Sequence, residues 1–318
     1  MTLKTRPLPI TVAAALLTLL LAWWWHTPRA PWVKHARPLA GQRLCVIGDG
    51  GWGNQASKAI GRALVTLRCD QIRYLGDLVY PRGIQNLNDP LLKSRFLEPL
   101  KPALDAGIPV YLVLGNHDWK GNAAAWLALA KQNPLIHFPN YYYVEQWPDA
   151  CAFSLETTWM EKWYYFRRQG NWLDQALDRA RQHHCRFSLA FAHHPLVSSG
   201  SHGEAGPDLK LTLNDRLFGR LDLYLSGHEH ILSDEGSYQG TRQLIAGAAS
   251  LNSDLGLPSK QQRFTRSTHG VLVMTLEDRQ HTMLARYRFY QVQGDPQKPR
   301  ITLLWQGHKQ GQGVRPAP

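Results

Sequence analysis

The sequence has no pair of cysteines at the CxxC spacing, and its four cysteines, Cys45, Cys69, Cys151 and Cys185, stand far apart. That counts against a zinc site built from thiolates. In an oxidising compartment the four could form two disulfides in any of three pairings, while Cys45, inside an apolar run, is equally compatible with a buried free thiol. No low-complexity tract or internal repeat occurs, which excludes the solenoid and disordered classes. Acidic residues are scarce: 24 Asp and Glu stand against 36 Lys and Arg, for a formal net charge of +12. Such a chain attracts anions, whether phosphate esters, anionic lipid or nucleic acid. The basic residues are dispersed, however, and do not alternate with aromatics as in a nucleic-acid module, so no nucleic-acid partner is expected.

Long hydrophobic runs are also few, and the one that matters is at the amino terminus. Residues 8–25 carry no charge, follow Lys4 and Arg6, and close on Trp23, Trp24 and Trp25. About eighteen apolar residues lie at the border between a signal-peptide core and a spanning helix. No small-x-small cleavage site follows, and Pro28 and Pro31 crowd the place where a peptidase would cut. The expectation is an uncleaved transmembrane signal anchor over residues 1–25, its tryptophans at the membrane face. Lys4 and Arg6 favour an inside amino terminus, although Arg29, Lys34, Arg37 and Arg43 put more charge on the other flank. The reading adopted is a membrane-anchored protein with an extracytoplasmic domain, periplasmic or extracellular. Residues 26–40, with three prolines, read as a linker, 41–305 as the catalytic domain, and 306–318 as a flexible basic tail.

What is present in abundance is a repeated pattern: an apolar run ending in glycine or histidine and then a side chain able to bind metal. Residues 43–47 end in Gly48-Asp49-Gly50-Gly51, and residues 54–67 have helical periodicity. Residues 70–75 lead into GDLVYPRG over 76–83, which offers Asp77 and Tyr80 as two oxygen ligands three residues apart. Residues 108–114 end in Gly115-Asn116-His117-Asp118, residues 186–192 in His193-His194-Pro195, and residues 221–225 in Ser226-Gly227-His228-Glu229-His230. From Gly236 onward the pattern turns hairpin-like. Strand and helix units followed by antiparallel strands predict an α/β fold of two packed mixed sheets flanked by helices. Open α/β sheets place their chemistry at strand ends, which is where these residues fall.

Oxygen and imidazole ligands converging on one edge suit iron, manganese or zinc. A carboxylate can bridge two such ions, which together bind a phosphoryl oxygen and lower the pKa of a water for in-line attack. The motifs GDGG, GDLVY, GNHD, AHHP and GHEH, in that order over residues 43–248, resemble the calcineurin-like metallophosphoesterases, and among them the short, tartrate-resistant type of purple acid phosphatase. The wider family has histidine two residues after the first aspartate, where this chain has Gly51, and the purple acid phosphatase pattern replaces that ligand with the residue matching Tyr80. The resemblance implies a four-layer αββα sandwich. It implies Fe(III) held by Asp49, Tyr80 and His230, bridging Asp77, and a divalent ion (Fe, Zn or Mn) held by Asn116, His193 and His228. It further implies His117 as the residue that contacts phosphate and protonates the leaving group, oriented by Asp118, and His202 as a second substrate-side histidine. His194 stands where those relatives usually have tyrosine. The activity implied is hydrolysis of a phosphate monoester by a metal-bound hydroxide, with a phosphodiesterase or nucleotide pyrophosphatase, or a catalytically silent binding protein, as the alternatives. The aromatic segment 159–168 reads as a lid, a membrane-resting patch or an ordinary packed loop, and His183 and His184 carry no assigned chemistry.

Overall fold

The period of two in the strand sequences decides the layering. In the strand Arg43–Ile47, Leu44 and Val46 join one buried cluster while Cys45 and Ile47 join another, as alternating side chains of a doubly covered sheet must. A computed structural model describes residues 30–316 of the chain, except 162 and 281, and shows two such sheets.

One sheet has eight strands in the order β1 (Trp32–Lys34), β6 (Tyr143–Gln146), β7 (Ala150–Ser154), β8 (Phe187–Phe191), β9 (Leu223–Ser226), β11 (Thr241–Ala246), β10 (Leu232–Tyr238) and β12 (Phe264–Arg266). The other has seven: β15 (Arg300–Gln310), β14 (Thr282–Gln293), β13 (Gly270–Arg279), β2 (Arg43–Ile47), β3 (Gln71–Leu75), β4 (Val110–Val113) and β5 (Ile136–His137). Strands β2 to β5 are parallel, as are β7, β8, β9 and β11. The antiparallel members lie outside these blocks.

Between the sheets lies one apolar layer, to which Val46, Leu75 and Met274 contribute from one side and Phe187, Leu189 and Leu225 from the other. Helices Gln55–Thr66, Glu98–Asp105 and Ala124–Gln132 cover the outer face of the seven-stranded sheet through Ile60, Leu100 and Trp126. Helices Trp163–Gln182 and Pro207–Arg216 cover the other through Leu173, Leu177 and Leu213. The result is the four-layer order of helix, sheet, sheet, helix that the strand pattern predicts. A buried ion pair spans the two sheets: Arg73 on β3 meets Glu145 on β6, both 1% exposed.

Several expectations about the chain's ends and links need correction. The linker over 26–40 contains β1, which pairs with β6, and Leu39 is fully buried with its N–H donated to Asp149 Oδ1 at 2.7 Å. The basic tail is built into the fold: β15 runs to Gln310, and the N–H groups of Gln312 and Gly313 donate to Asp222 at 2.9 and 3.0 Å. Backbone donors and acceptors that find partners in the sheet order a polar segment that hydropathy alone leaves unassigned. In the aromatic segment 159–168, one helix ends at Met160 and another begins at Trp163, so a packed loop does not describe it. The alternatives left open for the cysteines are resolved as two disulfides, Cys45 with Cys69 and Cys151 with Cys185. The expected anchor lies outside the described residues, among which no helix is long and apolar enough to cross a membrane.

Candidate metal centre

The carboxyl ends of β2, β3 and β4 in one sheet face those of β8 and β9 in the other, and the loops that leave them carry all seven predicted ligands. His193 shows how close the sheets come, since its Nδ1–H donates to the carbonyl of Leu75, the last residue of β3, at 2.8 Å. The loops turn sharply at the ligand positions. Asp49, Asp77 and His228 have φ of 58°, 52° and 67°, a left-handed backbone that is uncommon outside glycine and is characteristic of functional sites. Two glycines permit the approach. A Cβ on Gly76 would lie 2.6 Å from Gly115 N and from His193 Nδ1. One on Gly51 would lie 2.6 Å from the Leu78 and Val79 backbone, so this loop has no room for a histidine at that position.

Three side chains close one half of the site. Tyr80 Oη donates to Asp49 Oδ1 at 3.0 Å and lies 3.1 Å from His230 Nε2, which is 3.7 Å from Asp49 Oδ1. Four groups close the other half. His193 Nε2 lies 2.9 Å from Asn116 Oδ1, 3.2 Å from His228 Nδ1 and 3.6 Å from Asp77 Oδ1. The halves are joined, because ligand atoms of Asp49, Asp77 and His193 all fall within 4.8 Å of one another.

The chemistry of this donor set fits metal ions. His193 carries its proton on Nδ1, so Nε2 presents a lone pair to the Asn116 carbonyl oxygen and to another imidazole. Lone pairs facing each other at these distances repel unless a cation lies among them. Metal bonds of about 2.1 Å place adjacent ligand atoms roughly 3 Å apart, in line with the spacings seen. Burial lowers the pKa of His193 and of His228, and that of His230 to about 4, which keeps all three in the neutral form that binds metal. Burial and then the Asp77 charge raise that of Asp49 well above the usual carboxylate range. Among the described residues, the ion pairs of Asp49 and Asp77 are with histidine and not with Lys or Arg. Adjacent buried carboxylates without a cationic side chain call for an external cation.

The substrate-side residues fall less neatly. His117 N–H donates to Asp77 Oδ1 at 2.9 Å and its Nδ1–H to the Pro81 carbonyl at 2.6 Å, while the Lys120 ammonium lies 3.4 Å from Nε2. Asp118 does not orient that ring, contrary to the sequence-based expectation. Its fully buried carboxylate accepts the N–H groups of Leu78, Val79 and Gly115 at 3.1, 3.3 and 2.9 Å, tying the β3 and β4 loops together. Adjacent residues on a turn point apart, so sequence proximity misled here. His202 packs 5.1 Å from the ring of His228 and 5.2 Å from that of His230.

Four residues that matter were missed. Glu229, fully buried, holds His202 Nδ1 at 3.2 Å and raises its pKa. It lies between two histidines in GHEH, and no local pattern marks it as the support of a residue 27 positions earlier. Lys120 brings its ammonium within 3.4 Å of His117 Nε2. Trp52 stacks on Tyr80 with ring centroids 5.4 Å apart, and the Arg95 guanidinium lies over the Trp52 ring 5.0 Å from its centroid, an arrangement that no local pattern encodes.

Comparison with known proteins agrees with this geometry. Residues 43–232 match the model of the calcineurin-like phosphoesterase family. The tartrate-resistant acid phosphatase type 5 of Rattus norvegicus is 26% identical over 66% of this chain and 73% of its own, and that of Homo sapiens is 26% identical over 65% and 68%. Purple acid phosphatase 4 of Arabidopsis thaliana is 25% identical over 67% and 69%. Among solved structures, GAP50, the anchor in the inner membrane complex of Plasmodium, superposes with a TM-score of 0.66 at 18% identity over 87% of this chain and 90% of its own. A dimetal phosphatase from Danio rerio gives 0.53 at 13% identity over 82% and 98%. The family match covers more than half of the chain and every strand end described above, and the chain therefore belongs to the calcineurin-like phosphoesterases, as a hydrolase of that superfamily.

Proposed function

We propose that the protein is a phosphomonoesterase with a dinuclear centre, in which Asp49, Tyr80 and His230 hold one ion, Asn116, His193 and His228 hold a second, and Asp77 bridges them. The observation that carries this reading is the joined pair of ligand sets, with Asp49, Asp77 and His193 atoms within 4.8 Å at the seam. When bound, the two ions would acidify a water and neutralise phosphoryl oxygens for in-line displacement. The rest falls to the chain. Asp118 fixes the two loops that carry Asp77 and Asn116, and Pro81 accepts the Nδ1–H of His117, so that the imidazolium form, with its second proton on Nε2, can protonate a leaving-group oxygen and return to the neutral ring. His202, held by Glu229, faces the same space from the other wall.

The acid phosphatase names of the relatives support a monoester over a diester. Hydrolysis of an aryl phosphate and of a bis-aryl phosphate diester, measured side by side on the full chain loaded with iron and zinc, tests the choice. Monoester turnover is expected to exceed diester turnover, and His117→Ala to reduce it by roughly 10²-fold or more. The reverse preference would establish the diesterase. We assign Fe(III) to the Tyr80 half and Fe, Zn or Mn to the other, and Tyr80→Phe is then expected to abolish the visible absorption of the iron-loaded chain; a band that survives removes tyrosinate from the metal. Two disulfides support an oxidising compartment. With an anchor over residues 1–25 the domain would lie outside the cytoplasm, and protease added to intact cells should digest it.

A further inference from the structure

His194 is a buried imidazole for which the reaction just proposed has no use. It is 4% exposed and follows His193 directly at the end of β8. Its ring centroid lies 4.4 Å from that of His228 and 4.8 Å from that of His193. One ring nitrogen from each of the three histidines falls within 4.8 Å of the other two. Glu161 Oε2 lies 3.9 Å from its Nε2, at ion-pair distance and outside hydrogen-bonding range.

The ring is held from behind. Thr157 Oγ1 lies 2.9 Å from His194 Nδ1 and accepts the His194 main-chain N–H at 3.1 Å. Thr157 in turn opens a short helix, Thr157–Met160, whose first turn is capped by the buried Glu156 carboxylate through the N–H groups of Thr158 and Trp159 at 2.9 and 2.7 Å. A hydrogen bond to one nitrogen of an imidazole fixes the ring and favours use of the other as a ligand. Three imidazoles that each bring one ring nitrogen within 4.8 Å of the other two are a donor set that suits a divalent ion of the zinc type.

We infer that His194 supplies a third imidazole to the divalent-ion half of the centre, so that His193, His194 and His228 form a cradle selective for a nitrogen-preferring ion such as zinc. The inference rests on the dinuclear reading above and deepens it. Imidazole suits zinc, whereas manganese and magnesium are better served by carboxylate and carbonyl oxygen. Loss of His194 should therefore weaken zinc much more than manganese.

Calorimetric titration of the metal-free full chain with Zn²⁺, and separately with Mn²⁺, tests this on the wild type and on His194→Phe, with thermal melts to verify folding. The wild type should take up two zinc ions. His194→Phe should weaken the second by roughly 10- to 100-fold, the size of effect seen when a group supporting a metal site is removed, with manganese changed far less. His194→Gln, which keeps a polar partner for Thr157, provides the same readout should the phenylalanine variant not fold. Unchanged zinc affinity in either folded variant overturns the inference. If the wild type binds two zinc ions and hydrolyses esters while His194→Phe matches it in both, this inference alone fails. Uptake of a single ion by the wild type overturns it together with the dinuclear reading.

Discussion

Asp77→Asn should lower aryl phosphate turnover by roughly 10⁴-fold while leaving the metal-free chain at least as stable as the wild type. The loss corresponds to about 5.5 kcal/mol of transition-state stabilisation at 1.36 kcal/mol per tenfold, a reasonable share for a residue that shapes a centre supplying several kcal/mol of charge neutralisation. Asparagine is isosteric, and its carbonyl can still accept the His117 N–H that Asp77 Oδ1 accepts at 2.9 Å. What disappears is the negative charge at the seam between the two ligand sets. That same charge raises the pKa of Asp49 and of Asp118, in each case second to burial, so its removal relieves repulsion when no cation is present. Activity and apo stability thus move in opposite directions. Metal-induced stabilisation should also shrink, because a ligand stabilises the fold only in proportion to its affinity for it. Steady-state kinetics and melts with and without metal check both signs. A variant that keeps its turnover, or that is destabilised without metal, would contradict the bridging assignment.

Arg73→Met should cost about 3–5 kcal/mol of stability, the range for breaking a buried ion pair by removing one partner. Arg73 donates from Nη1 and Nη2 to Glu145 and from Nε to Gln71 Oε1 at 2.9 Å, with its guanidinium 4.0 Å from the Tyr111 ring centre and 4.8 Å from that of Phe191. Methionine leaves Glu145 with His35 alone, at 2.9 Å. Burial by itself would raise the pKa of Glu145, but the Arg73 charge and the hydrogen bonds from His35 and Arg73 outweigh it and hold the group below the ordinary value. A folded-state pKa that is depressed adds stability above the unfolded value of about 4.3, and that stability is lost as pH falls through the folded value. The wild type should therefore lose this contribution only in acid, and Arg73→Met should lack it already at neutral pH. Urea unfolding at pH 7 measures the difference. Arg73→Met with Glu145→Met should recover much of the loss, since an apolar pair removes the stranded charge. Failure of the double variant to recover would mean that ring packing of Arg73, not its charge, holds the sheets.

The site was legible in the sequence because its ligands obey local rules. Asp49, Asp77, Asn116, His193 and His228 each follow a short apolar run, and a run of that kind ends where a buried strand leaves the sheet. The order of motifs then identified the family. Asp118 was misread for the opposite reason: its carboxylate serves the backbone of Leu78 and Val79, forty residues earlier, and nothing near residue 118 announces that. The carboxyl-terminal segment was misread because hydropathy sees only its polar side chains, while β15 is ordered by main-chain bonds to β14.

Alternation, glycine placement and residue chemistry are properties of neighbouring positions, so the sequence by itself determined the strands that lead into the site, the layer class and the candidate ligands. Which cysteines pair, how Arg73 finds Glu145, what holds His202, and that His194 lies against His193 and His228 depend on which strand edges face one another. Those contacts join residues 24 to 72 positions apart in the cysteine pairs and the Arg73 pair. Only the packing of two sheets across a common apolar layer brings such partners within reach, and that is what the tertiary structure decided.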